Sequence, residues 1–208
     1  MRSITLAEFR QPLIAYVVLV IACLWAVVPS RALDIAGHVL GEHWYSLYNF
    51  MLAAASILLL LQARLRHDPT ITWRVFDLIL CCMLVSWGLK GLFPHLTRPS
   101  GGAHGFPSGH ALTAFAASWL LMETFPNVSP YAFLLAVAVG WSRVEIHEHY
   151  TYQVLIGAPL GMAIGYFVTR APRGVGVLLP RLFQRRRVGA VPAPASPSEG
   201  VWPPPPRA

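Results

Sequence analysis

Six long apolar runs dominate this chain and limit what it can fold into. Hydrophobic residues make up 55% of it and charged residues only 12%, which leaves too few charges to cover a soluble domain. An apolar run of about 18 residues is long enough to cross a membrane as a helix. The sequence therefore predicts an all-α bundle of six transmembrane helices, at about residues 12–28, 46–63, 75–93, 109–125, 130–148 and 153–169.

The positive charge is distributed unevenly along the chain. The formal net charge is +7, and twelve of the sixteen Lys and Arg residues precede the first run, lie between the second and third, or follow the last. Cytoplasmic loops of membrane proteins carry such an excess, so we expect both termini in the cytoplasm. Because the charge follows this topology, we expect membrane lipids as partners and no nucleic acid.

The six helices leave no room for a second domain. Residues 1–170 are predicted to form the integral membrane domain, and the basic segment 171–187 is expected to lie at the anionic lipid surface. Residues 188–208 are rich in proline and are expected to be disordered. The three cysteines fall within apolar runs and are interpreted as small core residues (Cys23, Cys81, Cys82).

Two further patterns concern packing. The outward loop 29–45 is compatible with a short surface helix. Gly157, Gly161 and Gly165 recur every four residues in the last run and form a smooth stripe. Such a stripe lets another helix approach closely, and we expect that helix to come from the same chain.

The polar residues gather at the predicted outer ends of the helices. Lys90, the only lysine, lies near the end of the third run, and Arg98 follows it in a loop rich in Gly, Pro and His. Arg143 and His149 lie at the outer end of the fifth run. Cations at membrane depth are costly and usually mark a function.

These residue types suit a phosphate. Arg offers a planar fork to phosphate oxygens and Lys a point charge. The turn at Ser108 and Gly109 opens a helix, where free backbone N–H groups and the positive end of the helix dipole favour anions. Two histidines, His110 and His149, can divide the chemistry, one attacking phosphorus and the other protonating the departing oxygen. Since the cations neutralise the phosphoryl charge, we expect no metal and no other cofactor.

Three segments carry a resemblance to a known family. They are "KGLFPHLTRP" with Lys90 and Arg98, "PSGH" at 107–110, and "SRVEIHEHYTYQ" with Arg143 and His149. In this order and at these helix ends, they resemble the type 2 phosphatidic acid phosphatase (PAP2) superfamily.

The resemblance implies a role for each matching residue. Phosphate would be held by Lys90, Arg98, Arg143 and the Ser108–Gly109 backbone. His149 would be the nucleophile and His110 the general acid, in a site that opens at the outer face of the inner or plasma membrane. The implied substrates are lipid phosphates such as phosphatidic acid, phosphatidylglycerol phosphate, polyprenyl diphosphates and lipid A.

Two departures from the family pattern stand out. Seven residues, rather than six, separate Lys90 from Arg98, and Gln153 stands where the family has an Asp that orients the nucleophile. Gln accepts the same hydrogen bond but offers no charge. Glu145, four residues before His149, would be one turn away if the fifth helix continued that far, and it is the expected substitute.

Several alternatives stay open at this point. An acceptor alcohol in place of water would make the protein a phosphotransferase, and loss of the acidic partner would leave a protein that only binds lipid phosphates. A transporter is suggested by the number of spans alone, and the sequence shows no internal repeat of the kind transporters carry.

Overall fold

The structure is a computed structural model that describes residues 6–26, 28, 30–41 and 47–170. Within these ranges all regular structure is helical, which confirms the predicted all-α class. The helices are α1 (Leu6–Trp25), α2 (Arg31–Gly41), α3 (Leu47–Leu65), α4 (Pro69–Leu92), α5 (Gly109–Thr124), α6 (Ser129–Glu145) and α7 (Thr151–Arg170). The predicted basic segment and proline-rich tail, 171–208, lie outside the described residues.

Within the part of the chain that the structure describes, four helices are long and apolar enough to cross a membrane. They are Glu8–Trp25, Leu47–Leu65, Pro69–Leu92 and Thr151–Arg170, so this is a multi-pass membrane protein. The helices α5 and α6 have 16 and 17 residues. At 1.5 Å per residue they reach only about 24–26 Å. The expected count of six spans therefore includes two helices whose length alone does not assign them to the membrane.

The start of α4 differs from the apolar run that predicted it. Hydropathy placed the start at about 75, whereas the helix begins at Pro69. Asp68 caps it, because its carboxylate accepts a hydrogen bond at 2.9 Å from the backbone N–H of Thr70. Proline suits the first helical position, where no N–H partner is needed.

The surface helix expected in the 29–45 loop is α2, and it packs against the end of α6. Gly37 and Gly41 of α2 are buried. A Cβ on Gly37 would lie 2.4 Å from Cγ of Glu145, which is closer than real side chains approach. The absence of side chains on this face therefore lets α2 lie directly against the last turn of α6.

The centre of the bundle is α5. Its side chains are almost all buried between Ala111 and Leu121, and four of them are alanines that allow neighbouring helices to come close. Cys23 and Cys82 are buried in the two clusters of core residues that surround α5, while Cys81 packs at the edge of one of them. All three thiols are free, as their interpretation as core residues requires.

The glycine stripe of α7 lies on α5. A Cβ on Gly157 would approach the Ser108 carbonyl oxygen to 2.8 Å, and one on Gly161 would lie 2.0 Å from the Leu112 carbonyl oxygen. A Cβ on Gly165 would meet the Trp119 side chain at 2.5 Å. The expectation that the stripe packs within the chain is confirmed.

Replacing Gly161 by alanine should destabilise the protein, because the added methyl group collides with backbone that cannot move aside. We expect a loss of about 1–3 kcal/mol, typical of overpacking. Gly88→Ala is the matched control, since no atom lies within 4 Å of its Cβ position. That change should be neutral or stabilising by up to about 1 kcal/mol. Thermal unfolding of the purified protein in detergent measures both, and equal melting temperatures for the two variants would contradict the close helix contact.

Candidate active site

The polar residues singled out in the sequence meet at one end of the bundle, where α4 and α6 end and α5 and α7 begin. A cavity of about 230 Å³ lies there. Five of the predicted residues line it: Lys90, Arg98, Gly109, His110 and His149. The remaining lining residues are Tyr48, Cys82, Met83, Ser86, Trp87 and Thr113.

His149 is held in the turn that joins α6 to α7. The turn reverses at His147, whose φ of 58° is left-handed. The backbone N–H groups of Glu148 and His149 both donate to the Arg143 carbonyl oxygen, at 3.1 and 3.0 Å. These bonds hold the backbone of His149 in place. Its side chain lines the cavity, and only 3% of the residue is exposed.

Gln153 determines which nitrogen of His149 faces the cavity. Its Nε2 donates to the Thr97 carbonyl oxygen at 2.8 Å, and its Oε1 accepts from the Tyr150 N–H at 3.2 Å. These two bonds fix the orientation of the amide, so Oε1 is also the acceptor for Nδ1 of His149, at 2.9 Å. The proton therefore sits on Nδ1, and Nε2 keeps its lone pair.

The expectation that Glu145 orients His149 is wrong in this geometry. It required α6 to remain helical as far as His149, but the helix ends at Glu145 with Ile146 as its C-cap. The Glu145 side chain packs against Gly37 of α2 instead. Its Oε2 is buried without a hydrogen-bond partner among the described residues.

Burial sets the charge state of His149. Removal from water is the main cause that lowers the pKa of this imidazole to about 4, and the nearby cations Arg98 and Lys90 act in the same direction against the opposing hydrogen bond to Gln153. At neutral pH the ring is uncharged. It can therefore act as a nucleophile without first losing a proton.

The cations reach the cavity from two sides. Lys90 lies in the last turn of α4, with Nζ 5.4 Å from the centroid of the Trp87 ring. Arg98 lies in the following loop, where its Nη1 is 3.2 Å from Oε2 of Glu148. With α4 ending at Leu92, most of the seven residues between Lys90 and Arg98 lie in this loop, and both side chains line the cavity.

The first turn of α5 lines the same cavity as these cations and His149. Ser108 is the N-cap, and its N–H donates to the Gln153 carbonyl oxygen at 3.1 Å. Its hydroxyl is buried and has no hydrogen-bond partner within the described ranges. A Cβ on Gly109 would lie 3.7 Å from Lys90 Nζ, so the lysine reaches the first turn of α5. In the same turn, the His110 ring makes a T-shaped contact with the ring of Tyr48 from α3, at a centroid distance of 4.5 Å.

Three predicted site residues lie behind the cavity wall. Gln153 contacts His149 from behind, and Ser108 supports the start of α5, as described above. Arg143 is buried, and its Nη2 donates to the Gly41 carbonyl oxygen of α2 at 2.5 Å. The sequence predicted that the Arg143 guanidinium contacts phosphate, whereas in the structure it donates to a backbone carbonyl of α2.

Sequence reasoning missed several residues of the site. Tyr48, Trp87 and Thr113 carry no motif, and the carbonyl oxygens of Thr97 and Gly41 are backbone groups that a sequence pattern does not reveal. Ser86 is different, because it precedes Lys90 by four residues. That helical spacing alone places it on the face of α4 that carries the lysine.

A carboxylate in place of the Gln153 amide should raise the pKa of His149, because a negative charge stabilises the imidazolium. For Gln153→Glu we expect a rise of about 1–3 units from a starting value of about 4. As the pH is lowered, the His149 ring of the variant should therefore become charged at a higher pH than that of the wild type. NMR titration of ring-labelled histidine, assigned with His149→Ala, measures this shift.

The control is Gln62→Glu, which makes the same chemical change near the end of α3 that is remote from the cavity. It should leave the His149 titration unchanged. If Gln153→Glu also left it unchanged, Gln153 would not be the group that holds Nδ1.

The comparisons with known proteins agree with this geometry. Residues 89–176, which carry all three motifs, match the family model of the PAP2 superfamily. A lipid A 1-phosphatase from Porphyromonas gingivalis is 36% identical over 73 residues, which is 33% of this chain and 16% of that protein. The match therefore spans a small part of that longer relative.

A solved structure shares the fold. The PAP2-type phosphatidylglycerolphosphate phosphatase from Bacillus subtilis superposes with a TM-score of 0.52, over 78% of this chain and 92% of that one, at 20% identity. At this identity the likeness concerns the fold alone. The resemblance expected from the sequence is therefore confirmed for residues 89–176, which match the PAP2 superfamily model and carry the motif side chains assembled at the ends of α4 to α7.

Proposed function

We propose that the protein is a phosphatase that hydrolyses a lipid phosphate or diphosphate monoester. The observation that carries this proposal is the convergence of two imidazoles and two cations, His110, His149, Lys90 and Arg98, on one small cavity. A phosphoryl group requires positive charge for its oxygens, a nucleophile and a proton donor for the leaving oxygen. These side chains supply all three.

The first step uses the uncharged ring of His149. Its Nε2 lone pair attacks phosphorus and forms an N–P bond while the bond from phosphorus to the lipid oxygen breaks. His110 donates a proton to that oxygen, so the lipid of a phosphate monoester departs as an alcohol and that of a diphosphate departs as a lipid monophosphate. In the second step His110 takes a proton from water, the resulting hydroxide attacks phosphorus, and the N–P bond breaks to release inorganic phosphate.

The cations hold the charge of the phosphoryl group through both steps. Lys90 and Arg98 contact its oxygens together with the backbone N–H of Gly109, whereas the Ser108 N–H is already bonded to the Gln153 carbonyl oxygen. Arg143 stabilises this charge from behind the wall, where α2 holds it through Gly41. With this positive charge in place, the proposed chemistry requires neither a metal nor another cofactor.

A second cavity favours a lipid as the substrate. It also measures about 230 Å³, lies between α3, α4 and α5, and shares Tyr48, Cys82, Met83 and Thr113 with the phosphate cavity. Its other lining is mainly apolar: Leu52, Ala55, Ser56, Leu59, Val75, Leu78, Ile79, Ala117 and Leu120. A hydrocarbon chain attached to the bound phosphate would lie in this second cavity. The names of the two relatives, phosphatases of lipid A and of phosphatidylglycerolphosphate, point to the same class.

We further propose that α1 and α3 to α7 cross the inner membrane, with both termini in the cytoplasm and the active site at the outer face. In support, Arg64, Arg66 and Arg74 flank the turn between α3 and α4, at the opposite ends of these helices from Lys90.

In a cysteine-free background, a membrane-impermeant thiol reagent added to intact cells should label Gly102→Cys but not His67→Cys. The reverse labelling would overturn this orientation.

Replacing the nucleophile should abolish turnover. Purified wild-type protein should release inorganic phosphate from lipid phosphates, faster from long-chain than from short-chain ones. His149→Ala should reduce the rate by about a thousandfold or more, since a catalytic unit loses most of its activity with one member. His110→Ala should cost about 10²–10⁴-fold. The exposed His95 provides the control, and His95→Ala should retain activity close to that of the wild type.

The alternatives give different results in the same assay. Transfer of label from lipid phosphate to an added alcohol, with little free phosphate, would indicate a phosphotransferase. Binding of lipid phosphate without turnover, unchanged in His149→Ala, would indicate a binding protein and would contradict the proposed enzyme.

A further inference from the structure

The hydroxyl of Ser86 differs from most other hydroxyls inside the helices. In α5 the hydroxyls of Thr113, Ser118 and Thr124 each donate to the carbonyl oxygen four residues earlier, at 2.9, 2.9 and 3.0 Å. This back-bonding is the usual way in which a helical Ser or Thr satisfies its hydroxyl. The Ser86 hydroxyl makes no hydrogen bond to any part of the chain that the structure describes, although the residue is only 7% exposed.

The Ser86 hydroxyl points toward the phosphate cavity. A Cβ placed on Gly109 would lie 3.2 Å from Ser86 Oγ and 3.7 Å from Lys90 Nζ, so both groups converge on the first residue of α5. Ser86 and Lys90 are one helical turn apart on α4, and both line the cavity with His110 and His149. The Ser86 oxygen is not one of the fully enclosed polar atoms of the described residues, so its hydroxyl opens to the cavity and can bond to a group bound there.

We propose that Ser86 is a substrate-binding residue that donates its O–H to an oxygen of the bound phosphoryl group, beside Lys90. The proposal rests on the proposed function, since it assigns a further contact to the same phosphate. Ser86 lies one turn deeper than Lys90, next to Cys82 and Met83, which also line the apolar cavity. It therefore approaches the phosphoryl group from the side on which the lipid chain leaves.

Binding of inorganic orthophosphate tests this contact without any turnover. The full chain is purified in detergent, and its thermal stability is followed over a range of phosphate concentrations at constant ionic strength, since a ligand of the folded state raises the melting temperature. Ser86→Ala should weaken phosphate binding by about tenfold, because it removes a hydrogen bond to a charged group. Ser56→Ala is the matched control, because Ser56 lines the apolar cavity only, and it should bind phosphate like the wild type.

Ser86→Cys keeps the size of the side chain but donates only weakly, so it separates the hydrogen bond from packing. Support requires that it weaken phosphate binding as Ser86→Ala does while its melting temperature without phosphate equals that of the wild type. Wild-type affinity in both Ser86 variants overturns the proposal and leaves the phosphate site standing. A wild-type protein that phosphate does not stabilise overturns this proposal and the proposed function together.

Discussion

The contact between α5 and α7 positions the whole site. The glycines of α7 bring its backbone against that of α5, so that a Cβ on Gly157 would meet the Ser108 carbonyl oxygen. At this contact the Ser108 N–H donates to the Gln153 carbonyl oxygen, which joins the start of one helix to the start of the other. Because His149 precedes α7 and His110 opens α5, the helix contact sets the distance between the two imidazoles. The close contact between α5 and α7 therefore both packs the bundle and fixes the relative positions of His110 and His149.

Gln153 is an uncharged residue that orients the His149 imidazole. A carboxylate at this position would accept from Nδ1 of His149 and add a charge that raises the pKa of the ring. The amide accepts the same bond and also donates to Thr97, one residue before Arg98. His149 and the loop that carries Arg98 are thus joined through one side chain. The amide therefore adds no negative charge beside His149, but it connects the imidazole to the Thr97 backbone. Without that charge, the pKa of His149 stays low and the ring is uncharged at neutral pH.

The sequence was sufficient for the residues whose place depends on helix ends. Lys90, His110 and His149 flank apolar runs, so hydropathy alone predicted that they meet at one level of the bundle. It failed where the path of a loop decides the contact. Glu145 was misplaced because α6 ends there, and the backbone carbonyl that holds Arg143 belongs to α2, which no motif marks. The site could be outlined from the ends of the apolar runs and from the three motifs, but its hydrogen bonds depend on turns that neither describes.

Lys90, Arg98, His110 and His149 are proposed to form one pocket for a single phosphoryl group. A structure of the protein with orthovanadate, which resembles a phosphoryl group during transfer, shows whether they do. We expect vanadium bonded to Nε2 of His149, with its oxygens contacting Lys90, Arg98 and the first turn of α5. Vanadate bound at another site, or bound in this cavity without contact to His149, would mean that these side chains do not form a phosphoryl site.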